Sequence, residues 1–231
     1  MKIISFALFG NDLKYSHGGI ENTYLQQKYY PSWRCRFYYD KSVPETIIKQ
    51  LADLGAEVIL KNDYKDCTRM FWRFECFKDR SIERFIVRDA DSRLNPREAD
   101  AVEKWIKSEK EFHIIRDNGQ HTARILGGLF GANASCIAKI ADQYDKMLKE
   151  HFASGQHITQ KHNIRGKYFS SDQDFLGGYI WPLIEHNHLA HVCSLNLKFK
   201  DDDEMLEVEL PNGEFCGQVS RDYSFLNGDY T

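Results

Sequence analysis

Short apolar runs alternate with stretches of helical periodicity along the first third of the chain. "IISFALF", "RCRFYY" and "AEVIL" have the length and apolar content of strands covered on both faces. Between them, "IENTYLQQKYY" and "VPETIIKQLADLG" carry helical spacing, the second ended by Gly55. This βαβαβ pattern implies parallel strands joined by right-handed crossovers. "TRMFWRFECFKD" then sets Met70, Phe71, Phe74 and Phe77 at helical intervals, and "ERFIVRD" follows as a fourth strand centred on Phe85, Ile86 and Val87. Asn95 suits an N-cap, Pro96 the first helical position and Glu98 the third residue of a capping box. The helix they start runs to about Lys107, with Val102, Trp105 and Ile106 inward.

Beyond it the pattern gives a strand "EFHIIR", a glycine-rich stretch "ILGGLFGANAS", a helix from about Cys136 to Glu150 and a loop rich in His and Gly. A helix "DQDFLGGYIWPLI" and a C-terminal strand pair, "CSLNLKF" with "MLEVEL", complete the chain, "KDDDE" being a solvated turn. No repeat or low-complexity linker interrupts it and only 5 prolines occur, so the expectation is one domain over residues 1–231. A chain 42% hydrophobic and 28% charged has the profile of a folded protein. With 31 basic and 34 acidic residues, net charge −3, no overall field draws nucleic acid or an anionic membrane. The short N-terminal apolar run lacks a small-residue cleavage pattern and ends in polar loop chemistry, so a core strand is expected there instead of a secretory signal, and no segment approaches the ~18 apolar residues of a membrane span. The six cysteines, Cys35, Cys67, Cys76, Cys136, Cys193 and Cys216, form no C-x-x-C pair, which favours plain thiols in a reducing, cytoplasmic setting.

The candidate chemistry lies where the fourth strand ends. Asp89 and Asp91 stand two residues apart, a spacing that turns both side chains to one face while the chain is extended. Hard divalent cations take such oxygen ligands, keep waters and accept phosphate oxygens. The chain has three D-x-D triplets, at Asp89/Asp91, Asp172/Asp174 and Asp201/Asp203, and only the first follows a buried-type strand inside an α/β unit. A plain turn at Asp91 and Ser92 accounts for it without a ligand. His186, His188 and His191 crowd "EHNHLAH", but their spacing does not place them on one helical face.

"FIVRDADSRLNPREADAVEKWI", together with "SFALFGND", "MFWRF", "ILGGLFGA" and "DQDFLGGYIWP" in the same order, resembles a family of GT-A-fold glycosyltransferases of bacterial polysaccharide gene clusters and large viruses. The likeness spans roughly residues 1 to 195. It implies a GT-A-like, Rossmann-like α/β fold with a mostly parallel central sheet flanked by helices. Residues 1–110 become a nucleotide-binding half and 111–231 an acceptor or sugar half. Asp89 and Asp91 would hold Mn2+ or Mg2+ against the diphosphate of a nucleotide-diphosphate sugar, with His191 as a third metal ligand. The implied donor contacts are Phe9, Arg88, Arg73 and Arg69, the last two from the aromatic–basic helix before the D-x-D strand. Asp172, Gln173 and Asp174 resemble the polar triplet lining a sugar pocket, and Gly127 and Gly128 would admit the sugar close to the backbone. An ion pair for Arg73, first-turn acids for the aspartates and a tight turn for the glycines remain open beside these roles.

The reaction implied is glycosyl transfer to an acceptor hydroxyl of a glycan, with Asp174 or Asp172 as base if the enzyme inverts. A non-catalytic nucleotide-sugar or glycan-binding module is the alternative from another class. A HAD-like phosphohydrolase is the enzymatic one, although its D-x-D normally ends the first strand and its lysine and second acid pair are not evident here. The closing "FCGQVSRDYSFLNGDYT" shows no amphipathic pattern for docking to a membrane.

Overall fold

The computed structural model describes residues 1–154, 171–195 and 203–220. Its elements are β1 (Lys2–Leu8), α1 (Leu13–Tyr29), β2 (Arg34–Tyr39), α2 (Glu45–Asp53), β3 (Glu57–Leu60), a 3-10 segment (Asp66–Lys78), β4 (Arg84–Val87), α3 (Pro96–Lys107) and β5 (Phe112–Arg116). These are followed by β6 (Phe130–Asn133), α4 (Ala134–Ile140), α5 (Tyr144–Ala153), α6 (Ser171–Phe175), a π turn (Leu176–Ile180), α7 (Trp181–Ile184), β7 (His188–Val192) and β8 (Glu204–Met205). The strands form one sheet in the order β3-β2-β1-β4-β6-β5-β7-β8. All neighbouring pairs are parallel except those of β6, which runs against β4 and β5. This is a single α/β domain with helices on both faces of a mostly parallel sheet.

Strand alternation sends Ile3, Phe85, Val87, Phe112 and Phe130 to one face, where the 3-10 segment, α4, α5 and α6 cover them. Ile4, Phe6, Phe37 and Ile86 point to the other, under α1, α2 and α3. Phe71, Phe74 and Phe77 are fully buried. At roughly 1.5–3 kcal/mol for each such side chain removed from water, they outweigh the poorer hydrogen-bond geometry of 3-10 winding.

The first four strands and the capped α3 stand where the apolar pattern puts them, and Asn95 Oδ1 accepts from Glu98 N at 3.0 Å. Several boundaries are corrected. α1 starts at Leu13, well before Ile20, because Gly18 and Gly19 sit inside it for packing: a Cβ on Gly18 would lie 2.0 Å from Ala90 O and one on Gly19 3.1 Å from Phe37. The glycine-rich stretch holds β6, in which a Cβ on Gly131 would lie 2.8 Å from Phe85 O. The helix expected over Cys136 to Glu150 is two, separated at Ala141–Gln143. "HLAHV" is β7, a fully buried strand. Of the expected C-terminal strand pair, Glu204–Met205 is a short strand beside β7, residues 193–195 are not strand, and 196–200 lie outside the described residues, as do most of the His/Gly loop and "KDDDE". Cys35, Cys76, Cys136, Cys193 and Cys216 are free thiols. Among the described residues no helix is long and apolar enough to cross a membrane.

Candidate active site

The winding places β2 and β3 on one side of β1 and β4 on the other, so the crossover direction reverses between β1 and β4. Such a reversal opens a crevice at the carboxyl ends of the strands, where ligands of open α/β sheets bind. Phe9 and the turn 89–95 flank it. Arg88 N still donates to Ser5 O at 3.1 Å, after which Ser92 N and Oγ donate to Asp89 O at 3.2 and 2.9 Å. From α1, Asn22 Nδ2 donates to Ser92 O and its Oδ1 accepts from Leu94 N, both at 2.9 Å. The turn is therefore fixed by α1 on one flank and by the capped start of α3 on the other.

Arg73, buried on the 3-10 segment, reaches under this turn. Its main chain is tied to β1 by Ser5 Oγ, which donates to Arg73 O at 2.7 Å. Its Nη1 donates to Asp89 Oδ1 and its Nη2 to Asp172 Oδ2, the latter at 2.7 Å. Gly127 and Gly128 close over the pair. A Cβ on Gly127 would lie 2.0 Å from Asp172 Oδ2, and one on Gly128 2.1 Å from Asp89 Oδ2. Burial pushes the Asp172 carboxyl up, with Arg73 opposing and Asp89 adding to the shift. Burial, then Asp89, also push Asp91 up, against Lys14 Nζ at 3.4 Å.

These groups face one cleft of about 440 Å³. Of the residues singled out in the sequence, Phe9, Arg73, Asp89, Asp91, Gly127, Gly128, Asp172 and Gln173 line it. Four others lie elsewhere. Arg69 pairs with Asp40 at 2.6 Å and stacks over Phe9 from behind the lining. Asp174 is exposed on a neighbouring groove with Arg124, Gly177 and Gly178. Arg88 points to the opposite sheet face, fully buried against Glu98 at 3.0 Å, since strand alternation separates it from Asp89. His191 is buried on that same opposite face, its Nδ1 2.9 Å from His113 Nε2. β7 lies three strand spacings from β4, roughly 14 Å, too far for one ion to span. The cleft also takes Tyr15, Met70, His121, Leu126, Leu129, Gly217 and Val219, which the sequence reading missed. Only Gly217, at φ +80°, carried a local signal. Val219 arrives through an isolated bridge to Ser92, and Ser220 N donates to Asp91 O at 2.9 Å.

Among the described residues no group of three or more His, Cys, Asp and Glu side chains could hold a metal. Beside Asp172, which Arg73 ties down, the carboxylates facing the cleft are Asp89 and Asp91. This pair fits Mg2+ or Mn2+, which accept one or two carboxylates and complete their shell from water and phosphate. Burial raises Asp91 most, and the Asp89 charge adds to it; the second is the electrostatic condition a cation relieves.

No protein-family model matches the chain and no curated protein matches it. Solved structures do. 4-Diphosphocytidyl-2C-methyl-D-erythritol synthase from Anaerococcus prevotii aligns at a TM-score of 0.50 with 13% identity, over 86% of this chain and 89% of that one. The two share a Rossmann-like α/β fold with a mostly parallel sheet. Lesser likenesses include a glycosyltransferase involved in glycosylation of the major capsid of PBCV-1, at TM-score 0.46 and 13% identity over 83% and 81% of the two chains. Mouse xyloside xylosyltransferase 1 aligns at 0.47 and 12% over 84% and 89%.

Proposed function

We propose that the chain is a metal-dependent glycosyltransferase that moves a sugar from a nucleotide-diphosphate sugar to an acceptor hydroxyl of a glycan. One observation carries the reading: Asp89 and Asp91 leave the carboxyl end of β4 at the point where the winding reverses, in a cleft shared with Arg73, Asp172 and two glycines that leave no room for a Cβ. In this reading residues 1–110 bind the nucleotide, Phe9 packing on it at the end of β1, and residues 111–231 serve the sugar and acceptor.

Asp89 and Asp91 would hold Mn2+ or Mg2+, which supplies positive charge against the leaving diphosphate as the anomeric bond breaks. Arg73 is the basic side chain beside that charge and fixes Asp89 and Asp172 relative to each other. Asp172, not Asp174, suits hydroxyl binding or proton removal, since of the two only Asp172 lines this cleft, and a raised pKa strengthens a carboxylate base. Gln173 follows as a neutral hydroxyl partner.

The test is a screen of uridine, guanosine and thymidine diphosphate sugars for hydrolysis, with Mn2+, with Mg2+ and with chelator, on wild type and Asp91→Asn. Metal-dependent release of one nucleotide, lost in Asp91→Asn, is the expected result. Silence together with calorimetry showing no metal-dependent nucleotide binding refutes the reading; metal-dependent binding without turnover on any acceptor replaces it with a non-catalytic module.

A further inference from the structure

His121 lies on the loop between β5 and β6, against the cleft, and no role assigned above uses it. Its Nδ1 accepts the main-chain N–H of Asp117 at 3.0 Å. That N–H is rigidly held: the Asp117 carboxylate takes two bonds from Arg97 at 2.7 Å and one from Cys216 N at 2.9 Å, and Asp117 is buried. The ring also meets Phe215 edge-on at 5.5 Å between centroids. With Nδ1 occupied as an acceptor, a neutral ring must carry its proton on Nε2. A protonated ring would turn an N–H toward the N–H of Asp117.

From these contacts we infer that His121 is a fixed hydrogen-bond donor to a hydroxyl or ether oxygen of the acceptor saccharide, and not a general base. The base role is excluded because the one basic nitrogen is spent on Asp117. Burial lowers the His121 pKa, partly offset by the Asp117 charge, which keeps the ring neutral near pH 7. The acceptor side follows from the sheet order, resting on the reading above that the nucleoside lies at β1. β5 and β6 stand across β4 from β1, so the loop carrying His121 is on the far side of the Asp89/Asp91 turn. Leu126 and Leu129 of that loop, with Gly217, give the apolar surface on which a sugar ring can rest.

The test is nitrogen-15 NMR of histidine-labelled protein, the His121 ring signals being assigned by their loss in His121→Gln. Probes are methyl β-glucoside, methyl β-galactoside and methyl α-mannoside, titrated with and without uridine diphosphate and Mg2+. The expected spectrum is the Nε2–H tautomer, with ring signals that shift on addition of at least one glycoside. His121→Ala should weaken that glycoside roughly threefold to tenfold, the worth of one hydrogen bond, and His121→Gln, which restores a donor, should weaken it less. An Nδ1–H tautomer, ring signals that answer nucleotide alone, or no shift with any glycoside overturns the inference. Glycoside shifts without metal-dependent nucleotide binding would leave His121 as a saccharide contact while refuting the transferase reading. Nucleotide binding with a silent His121 refutes only the present inference.

Discussion

Arg88 and Asp89 are neighbours in the chain and members of two different charged clusters. Arg88 joins Glu98 and Tyr30 beneath α1 and α3, where the Tyr30 hydroxyl donates to Glu98 Oε1 at 3.2 Å and Arg88 Nη1 donates to Val87 O at 2.8 Å. Asp89 joins Arg73 and Asp172 at the cleft. Both clusters set an arginine against carboxylate, so charge composition does not separate them. Exposure does: the Glu98 side chain is 2% exposed and that of Asp89 41%. The first cluster is sealed by protein on every side and acts as a strut between β4 and α3. The second keeps a carboxylate exposed in the cleft, and Gly127 and Gly128 lack the Cβ atoms that would meet Asp172 and Asp89.

The largest expected effect breaks the strut. Glu98→Ala leaves Arg88 charged and unpaired in the interior, which costs about 3–5 kcal/mol, a large share of the ~5–15 kcal/mol that holds a domain folded. Chemical denaturation should show the loss with no dependence on added metal. A fall in stability under about 1 kcal/mol would mean that the cluster is not sealed and would dissolve the contrast with the cleft.

Smaller in stability and larger in function is Gly128→Ala. The added Cβ must displace the Asp89 carboxylate, an overpacking cost of about 1–3 kcal/mol, and metal-dependent nucleotide binding should be lost by calorimetry. Gly178→Ala is the control, because no heavy atom lies within 4 Å of its Cβ position. Binding that survives Gly128→Ala would show that Asp89 is not held where the ion must sit.

The same contrast explains what the sequence revealed. β1 to β4 and the start of α3 were legible because their signals are local: apolar runs, an N-cap and a proline. The start of α1, β6 and β7 were not, because Gly18 and Gly131 are chosen by backbones distant in sequence, and the histidines of β7 are buried against His113 and Trp181. Asp89, Asp91 and Arg73, carried on one strand end and its neighbouring motif, come together in one cleft. His191 stands outside the cleft, because only its place on β7 reveals the parity that turns it to the opposite face. The wall made by Gly217 and Val219 depends on a long-range bridge to Ser92, for which no local pattern exists.

The smallest predicted effect concerns Asp91, where a buried carboxylate beside Asp89 costs stability. Burial and Asp89 raise its folded-state pKa above the ordinary 3.8, so the folded protein binds that proton more tightly than the unfolded chain does. A raised carboxyl favours the fold in acid, below 3.8, and loses that contribution as pH rises through the folded pKa. At neutral pH the ionised Asp91 is therefore a cost, and Asp91→Asn, which cannot ionise, should raise the Tm of metal-free protein by a small margin. The margin should shrink to nothing as pH falls well below 3.8, where wild type carries a neutral side chain both folded and unfolded. Mn2+ or Mg2+ should reverse the order at neutral pH, stabilising wild type and leaving the asparagine variant unmoved. A variant less stable than wild type at every pH, with or without metal, would assign Asp91 to a structural cluster like that of Arg88 and erase the distinction between the two faces of β4.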